Sequence, residues 1–260
     1  YQNASIWGRL MTNFAGPLNN FILGILTFIL FFFLQGGVPD VTTNQVTVAD
    51  GGALQAAGVE TGARILEING QAVSDYEDVS DILAQVNENA KETPVLNMLV
   101  EEEGKEKTLQ VTTIKDQGYF RLGVSPYLKT GFAETIIGGF QEAGATALLI
   151  VNALKNIIAS FDVKQLGGPV AIYNVSSQAA EGGILPVLRL LAMLSINLGI
   201  FNLIPIPALD GGKILINLIE AIRRKPLKQE TESYITLVGV AIMVILMLVV
   251  TWNDIMRVFF

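Results

Sequence analysis

The residue whose chemistry most needs an account is Asp210. It sits in Asn202-Leu203-Ile204-Pro205-Ile206-Pro207-Ala208-Leu209-Asp210-Gly211-Gly212, at the end of a long apolar stretch. Two prolines two residues apart cannot lie in a regular helix, and Gly211-Gly212 adds backbone freedom. The pattern predicts a helix that begins in a membrane near Leu188 and breaks just before a carboxylate. Irregular backbone at that depth persists only where it faces protein or a wet cavity. An ionisable group there is a functional candidate. The plainer reading makes Asp210 a solvated residue of an interfacial loop, or the N-cap of a helix over 212–222. A second polar cluster is Gly16-Pro17-Leu18-Asn19-Asn20, at the mouth of another apolar run. Pro17 can serve as an early helix residue. Asn19 and Asn20 then point toward a region that should be apolar, unless the helix starts at headgroup level, where amides are harmless.

The rest of the side-chain inventory excludes much. The 260 residues contain no His and no Cys. Disulfides, Cys-based metal sites and iron–sulfur clusters are therefore excluded within this chain, as are a Ser-His-Asp triad and a His-ligated metal. With 17 Lys and Arg against 24 Asp and Glu, a net charge of -7, the chain is no basic nucleic-acid binder. Hydrophobic residues make up 51% and charged ones 16%, against roughly 25% charged in a soluble domain. This is the composition of a membrane protein.

A bilayer core about 30 Å thick needs about 20 apolar residues. Three stretches qualify: 10–34, about 185–206, and 234–252, the last with Tyr234 and Trp252 placed as interfacial aromatics. A fourth region, 132–161, has a helical pattern interrupted by Gly138, Gly139 and Gly144 after Gly131, and reads as an amphipathic helix lying against the membrane or the other helices. Arg9 precedes the first span, and Arg223, Arg224, Lys225 and Lys228 lie between the second and third, so these ends are expected in the cytoplasm. Arg257, in a tail expected outside, dissents mildly. Residues 35–131 then lie outside; they carry 15 Asp and Glu against 7 Lys and Arg.

Residues 40–128 are polar and rich in Val, Thr and Glu. Strands are expected at 46–48, 63–68, 94–101 and 107–114, a short helix at 53–59 stopped by Gly58, and a helix over 76–89 with Asp75 or Ser74 as N-cap. Asn69-Gly70 predicts a type I′ turn, and Glu103-Gly104-Lys105 a hairpin. The run from Ala56 through Gly58-Val59 and Gly62-Ala63-Arg64-Ile65 to Ile68-Asn69-Gly70 resembles the core of a PDZ domain. Such a domain adds an extended peptide to a sheet edge beside a helix; a small α/β domain with a similar hairpin is the alternative.

Together the motifs resemble one family, the site-2 protease family of intramembrane zinc metalloproteases, and within it the bacterial branch of regulated intramembrane proteolysis with a single PDZ domain. The order Gly16-Pro17-x-x-Asn20, PDZ-like insert, then Asn202-x-x-Pro205-x-Pro207-x-Leu209-Asp210-Gly211-Gly212 carries the resemblance, supported by Ala4-Ser5-Ile6-Trp7-Gly8-Arg9 and Leu166-Gly167-Gly168-Pro169-Val170. In that family an upstream span supplies His-Glu-x-x-His. The resemblance implies Asp210 as a ligand to Zn2+, Asn202 lining the active site to position substrate or stabilise an oxyanion, and Asn20 near the substrate strand.

The expected architecture is a mixed fold. It comprises an α-helical membrane protein with about three transmembrane helices plus amphipathic helices, and an inserted extracytoplasmic α/β PDZ domain. Its parts are 1–36 (a cytoplasmic stub and first span), 45–115 (the PDZ domain), 131–183 (membrane-associated helices) and 184–260 (the motif-bearing membrane domain). The resemblance implies a protease of the bacterial plasma membrane that cleaves single-span membrane proteins, such as anti-sigma factors and signal-peptide remnants. The PDZ groove would bind peptide or act as a size filter. Without His-Glu-x-x-His the chain is expected to be a truncated piece, inactive alone, whose other zinc ligands precede Tyr1. The alternatives are a non-catalytic membrane adaptor bearing a PDZ domain and, on weaker grounds, a small transporter.

Overall fold

The computed structural model describes residues 5–90, 92–116, 118–160, 167–223, 225 and 227–259. Ala4, Leu166 and Arg224 of the sequence motifs, and the side chain of Arg257, lie outside the described residues. The chain divides into two units, Gly36–Glu134 and the remainder before and after it.

The first unit is built on sheets. Strands β1 (Val38–Asp40) and β2 (Val46–Val48) both pair antiparallel with β9 (Val124–Lys129). A second sheet has the order β4 (Gln71–Ala72), β3 (Arg64–Ile68), β5 (Val95–Glu102), β6 (Lys105–Thr112). A hairpin joins β7 (Ile114–Asp116) to β8 (Tyr119–Arg121). Asn69 and Gly70 have φ of 51° and 78°, the two positive values a type I′ turn needs. Glu103 and Gly104, at 50° and 75°, repeat the device between β5 and β6. Helix α2 (Ala53–Ala56) is shorter than its sequence pattern. Helix α3 (Tyr76–Asn89) starts where Asp75 accepts the N–H groups of Glu77 and Asp78. Leu54, Ile65, Ile68, Val79, Met98 and Val100 form its buried core, each contributing about 1.5–3 kcal/mol over exposure. Strands β1 and β9 had no local signal, because they pair with each other from far apart in sequence; β8, unread as well, pairs with the adjacent β7.

The second unit is helical: α1 (Ile6–Gln35), α4 (Phe132–Ser160), α5 (Pro169–Glu181), α6 (Ile184–Leu203), α7 (Asp210–Arg223) and α8 (Gln229–Phe259). Among the described residues four helices, not about three, are long and apolar enough to cross a membrane: α1, α4, α6 and residues Glu230–Met256 of α8. The additional one is α4, where the glycines were expected to interrupt the helix. They do not: Gly138 and Gly139 belong to its packing face, and the exposed Gly144 is carried within the helix. Gly138, Gly139, Ala143 and Thr146 are buried, and a Cβ on Gly139 would run into Ile29 of α1. Lipid offers helices no hydrophobic drive to associate, so close backbone approach through small residues supplies the contact instead. The same holds between α1 and α6, where a Cβ on Gly24 would lie 2.6 Å from Ile196. Phe28, Ala143, Ala192 and Ile196 make the buried centre. Pro17 also departs from expectation: α1 begins at Ile6, so Pro17 lies inside the helix, with no N–H for the helix ladder.

In the sheet unit, buried Asp40 fixes the β1–β9 pairing. Its Oδ2 lies 2.8 Å from Lys129 Nζ, and its Oδ1 accepts from the Thr42 N–H and hydroxyl. Burial pushes its carboxyl up, but Lys129 and Thr42 outweigh burial and hold it below the ordinary aspartate value. A depressed folded pKa gives stability that is present above the unfolded pKa of about 3.9 and lost as pH falls through the folded one. Unfolding measured against pH should therefore show Asp40→Asn less stable than the parent at pH 7, with the difference vanishing in acid, below the folded value. A difference independent of pH would refute this account.

Candidate active site at a helix break

Helix α6 ends at Leu203 because Pro205 and Pro207 cannot continue it. Ile204 is extended, with φ -63° and ψ 134°. The chain then turns tightly: the Ile206 N–H donates to Ile204 O at 2.7 Å, and the Leu209 N–H to Ile206 O at 3.1 Å. Ala208 has φ of 98°, a strained conformation for a residue with a Cβ. Helix α7 restarts at Asp210, held by Gly212 and Lys213 N–H groups donating to Leu209 O. The turn is enclosed by backbone. A Cβ on Gly211 would strike the carbonyls of Leu203 and Ile204, one on Gly212 the carbonyl of Ile206, and one on Gly239 of α8 the carbonyl of Pro207. Three glycines thus let three helical segments close around the break.

Asp210 is the first residue of α7, where the helix dipole favours a negative charge. The residue stands inside the helix rather than capping it, since the Gly212 and Lys213 N–H groups go to Leu209 O, and its side chain is 30% exposed. Lys213 Nζ lies 3.8 Å from Oδ1, a loose contact one turn on. Oδ2 rests on α1 at Gly16: a Cβ built there would lie 2.6 Å from it. The fold therefore brings the Gly16-Pro17 motif and the Leu209-Asp210-Gly211 motif together. Asn20 is half-buried on α1, one turn beyond Gly16 on the same face. Asn202 is half-buried in the last turn of α6. Among the described residues neither amide hydrogen-bonds to Asp210.

Two features were not anticipated. Asp254 of α8 is 2% exposed and accepts the N–H groups of Gly168 at 2.9 Å and Ala171 at 3.1 Å. It caps α5 from a distant helix, which accounts for Gly168-Pro169: a Cβ on Gly168 would lie 2.9 Å from Asp254 Oδ2. The other is an ion pair between Arg9 of α1 and Glu220 of α7, 2.7 Å apart. The signal for both was present as lone acids in apolar helices; their partners were not.

A catalytic zinc takes about three protein ligands and a water. Among the described residues no group of three or more His, Cys, Asp or Glu side chains converges. Asp210 offers one carboxylate, so the residues of this chain do not by themselves fit a zinc ion.

Comparison with known proteins adds a family. The model of peptidase family M50 matches residues 1–246. The chain is 55% identical over 260 residues to a protein of Streptococcus pyogenes serotype M1 and 54% to one of Streptococcus pneumoniae serotype 4, both named "Putative zinc metalloprotease". It is 44% identical over 265 residues to the "Probable protease eep" of Enterococcus faecalis. Each match covers 100% of this chain and 62% of the relative, so the chain spans about three-fifths of the length of these proteins.

The contact at Gly16 yields a prediction. In Gly16→Val the new side chain must displace the Asp210 carboxylate or separate α1 from α7, at a cost of about 1–3 kcal/mol. Unfolding in detergent micelles should register that loss, whereas Gly144→Val, whose Cβ meets nothing within 4 Å, should register little. Equal behaviour of the two variants would contradict the packing described.

Proposed function

This chain belongs to peptidase family M50, the site-2 protease family, and from that premise we propose that it forms part of a membrane-embedded zinc metalloprotease in which Asp210 is a metal ligand. The observation that carries the reading is the Asp210 carboxylate at a helix break within the apolar helical unit, resting on Gly16 of a second family motif. Zinc is implied by the names of the relatives. Its remaining ligands come from outside these 260 residues. Asn202, in the last turn before the break, and Asn20, one turn beyond Gly16, line the same site and orient substrate. The chain alone is inactive.

The substrates are single-span membrane proteins, including anti-sigma factors and signal-peptide remnants. Broken helix next to the carboxylate supports this class, since a substrate peptide bond must leave its own helix before it can react. The protein resides in the plasma membrane of a bacterium. Arg9 pairs with Glu220, which puts the start of α1 on the same side as the end of α7, where Arg223, Lys225 and Lys228 follow. That side is cytoplasmic by the distribution of positive charge. The insert after α1 is then extracytoplasmic. It is a PDZ domain over 45–115 that acts as a size filter or binds peptide. The cleft of about 770 Å³ between α3 and β8, lined in part by Leu83 and Ala84 and, from just beyond those bounds, by Phe120 and Leu122, is the groove this reading assigns to it.

The absence of His in 260 residues favours a second reading, a non-catalytic membrane adaptor carrying a PDZ domain. Metal analysis of the full-length protein, with and without Asp210→Ala, separates the two. The protease reading expects about one zinc per protein, lost together with cleavage in the variant. Zinc and cleavage that persist would remove Asp210 from the site, and no zinc in the parent would favour the adaptor.

Deleting residues 45–115 from the full-length protein should admit substrates whose outer domains are still intact. Cleavage assayed on shortened and unshortened versions of one substrate checks this, and unchanged selectivity would discard the filter.

A further inference from the structure

Within the helical unit, α1 and α7 meet at two places. At one, Asp210 Oδ2 rests on Gly16. At the other, Arg9 Nη1 lies 2.7 Å from Glu220 Oε2, with the side chains 13% and 4% exposed. Glu220 Oε1 also accepts the Leu227 N–H at 2.7 Å. One carboxylate therefore ties together the start of α1, the end of α7 and the connection to α8. Asn13 and Asn217, between the two contacts, are buried as well. About two turns of α1 and about three of α7 separate the ion pair from the Asp210 contact.

The geometry of the pair argues against a role in stability alone. Neither Arg9 Nε nor Glu220 Oε2 completes a hydrogen bond among the described residues. The Arg9–Glu220 contact is therefore an ion pair by charge and distance, with poor alignment. A buried pair so bonded returns little beyond its desolvation cost, and packed apolar residues in its place are often neutral or stabilising. What such a pair does enforce is a single register, its best-attested use. Sliding α7 by one turn, about 5.4 Å, would leave both charges without partners in an apolar surrounding.

We propose that Arg9 and Glu220 are positioning residues: their ion pair pins the register of α7 along α1 and thereby holds the Asp210 carboxylate at Gly16. The effect on cleavage rests on the metal-ligand reading of Asp210; the effect on register does not. The two are tested separately, in the full-length protein in membranes.

The first measurement is oxidative cross-linking of Gly16→Cys with Asp210→Cys, the shortened side chain at 210 leaving room for the new one at 16. No Cys in these 260 residues competes. Adding Arg9→Met with Glu220→Leu should leave thermal stability equal or higher and lower the cross-linking yield severalfold. The charge swap Arg9→Glu with Glu220→Arg should restore the yield. Without the cysteines, the apolar pair should lower kcat about a hundredfold with KM little changed, the scale expected of a displacement near 1 Å. Should the apolar pair fail to accumulate, Glu220→Gln keeps the shape and removes one charge; it should lower the cross-linking yield and kcat in the same way, but with a loss of thermal stability because Arg9 is left unpaired. An unchanged cross-linking yield in a folded variant overturns the proposal. A yield that falls while Asp210→Asn still cleaves supports the pin and overturns the metal-ligand reading instead.

Discussion

The helical unit depends on one constraint: inside a bilayer, backbone N–H and C=O groups have no water to bond. A helix meets this requirement by itself; the break at 204–209 does not. The break survives because tight turns satisfy part of its backbone and because other segments close over it. Gly211 and Gly212 lie against the carbonyls of Leu203, Ile204 and Ile206, and Gly239 of α8 against Pro207. A side chain at any of these glycines would open the enclosure. The strained Ala208 is tolerated for the same reason, since its surroundings over-determine it.

Within that enclosure, small residues and buried polar groups share the work. Gly24 and Gly139 bring α6 and α4 onto α1. Lipid replaces hydrophobic drive with van der Waals fit, so the glycines that would weaken a soluble helix act here as contact surface. Polar groups then select among packings that apolar fit alone would leave nearly equal in energy. Asp254 can meet the start of α5 in one arrangement only, and Arg9 can meet Glu220 in one register only. The sheet unit follows ordinary aqueous physics instead. A buried apolar cluster supplies the stability, paired turns set the register, and buried Asp40 with Lys129 orders the β1–β9 edge.

Much was legible in the sequence for identifiable reasons. Hydropathy marks α1, α6 and α8 because lipid imposes a length. Asn69-Gly70 and Gly104 mark hairpins because Gly, and to a lesser degree Asn, take positive φ at low cost. Asp75 marks the start of α3 because a carboxylate satisfies free N–H groups. The continuity of α4 was not legible. A glycine reads as a helix breaker until the neighbour it packs against is known, and Ile29 is more than a hundred residues away from Gly139 in the chain. Pro17 was misplaced because the helix starts more than two turns earlier, behind Ser5, whose hydroxyl accepts the Gly8 N–H at 3.2 Å, a polar cap that lies ahead of the apolar run.

The sequence by itself determined that a carboxylate follows a helix break in an apolar stretch, and that Gly16-Pro17 and Leu209-Asp210-Gly211 belong to one family's pattern. These are local facts, written in prolines, glycines and residue order. Only the tertiary structure decided that the two motifs touch, with Asp210 on Gly16, and that Arg9 and Glu220 meet two turns away along α1. Which distant segments become neighbours depends on helix packing that joins α1 to α7 across some two hundred residues of chain, and no local pattern encodes that closure.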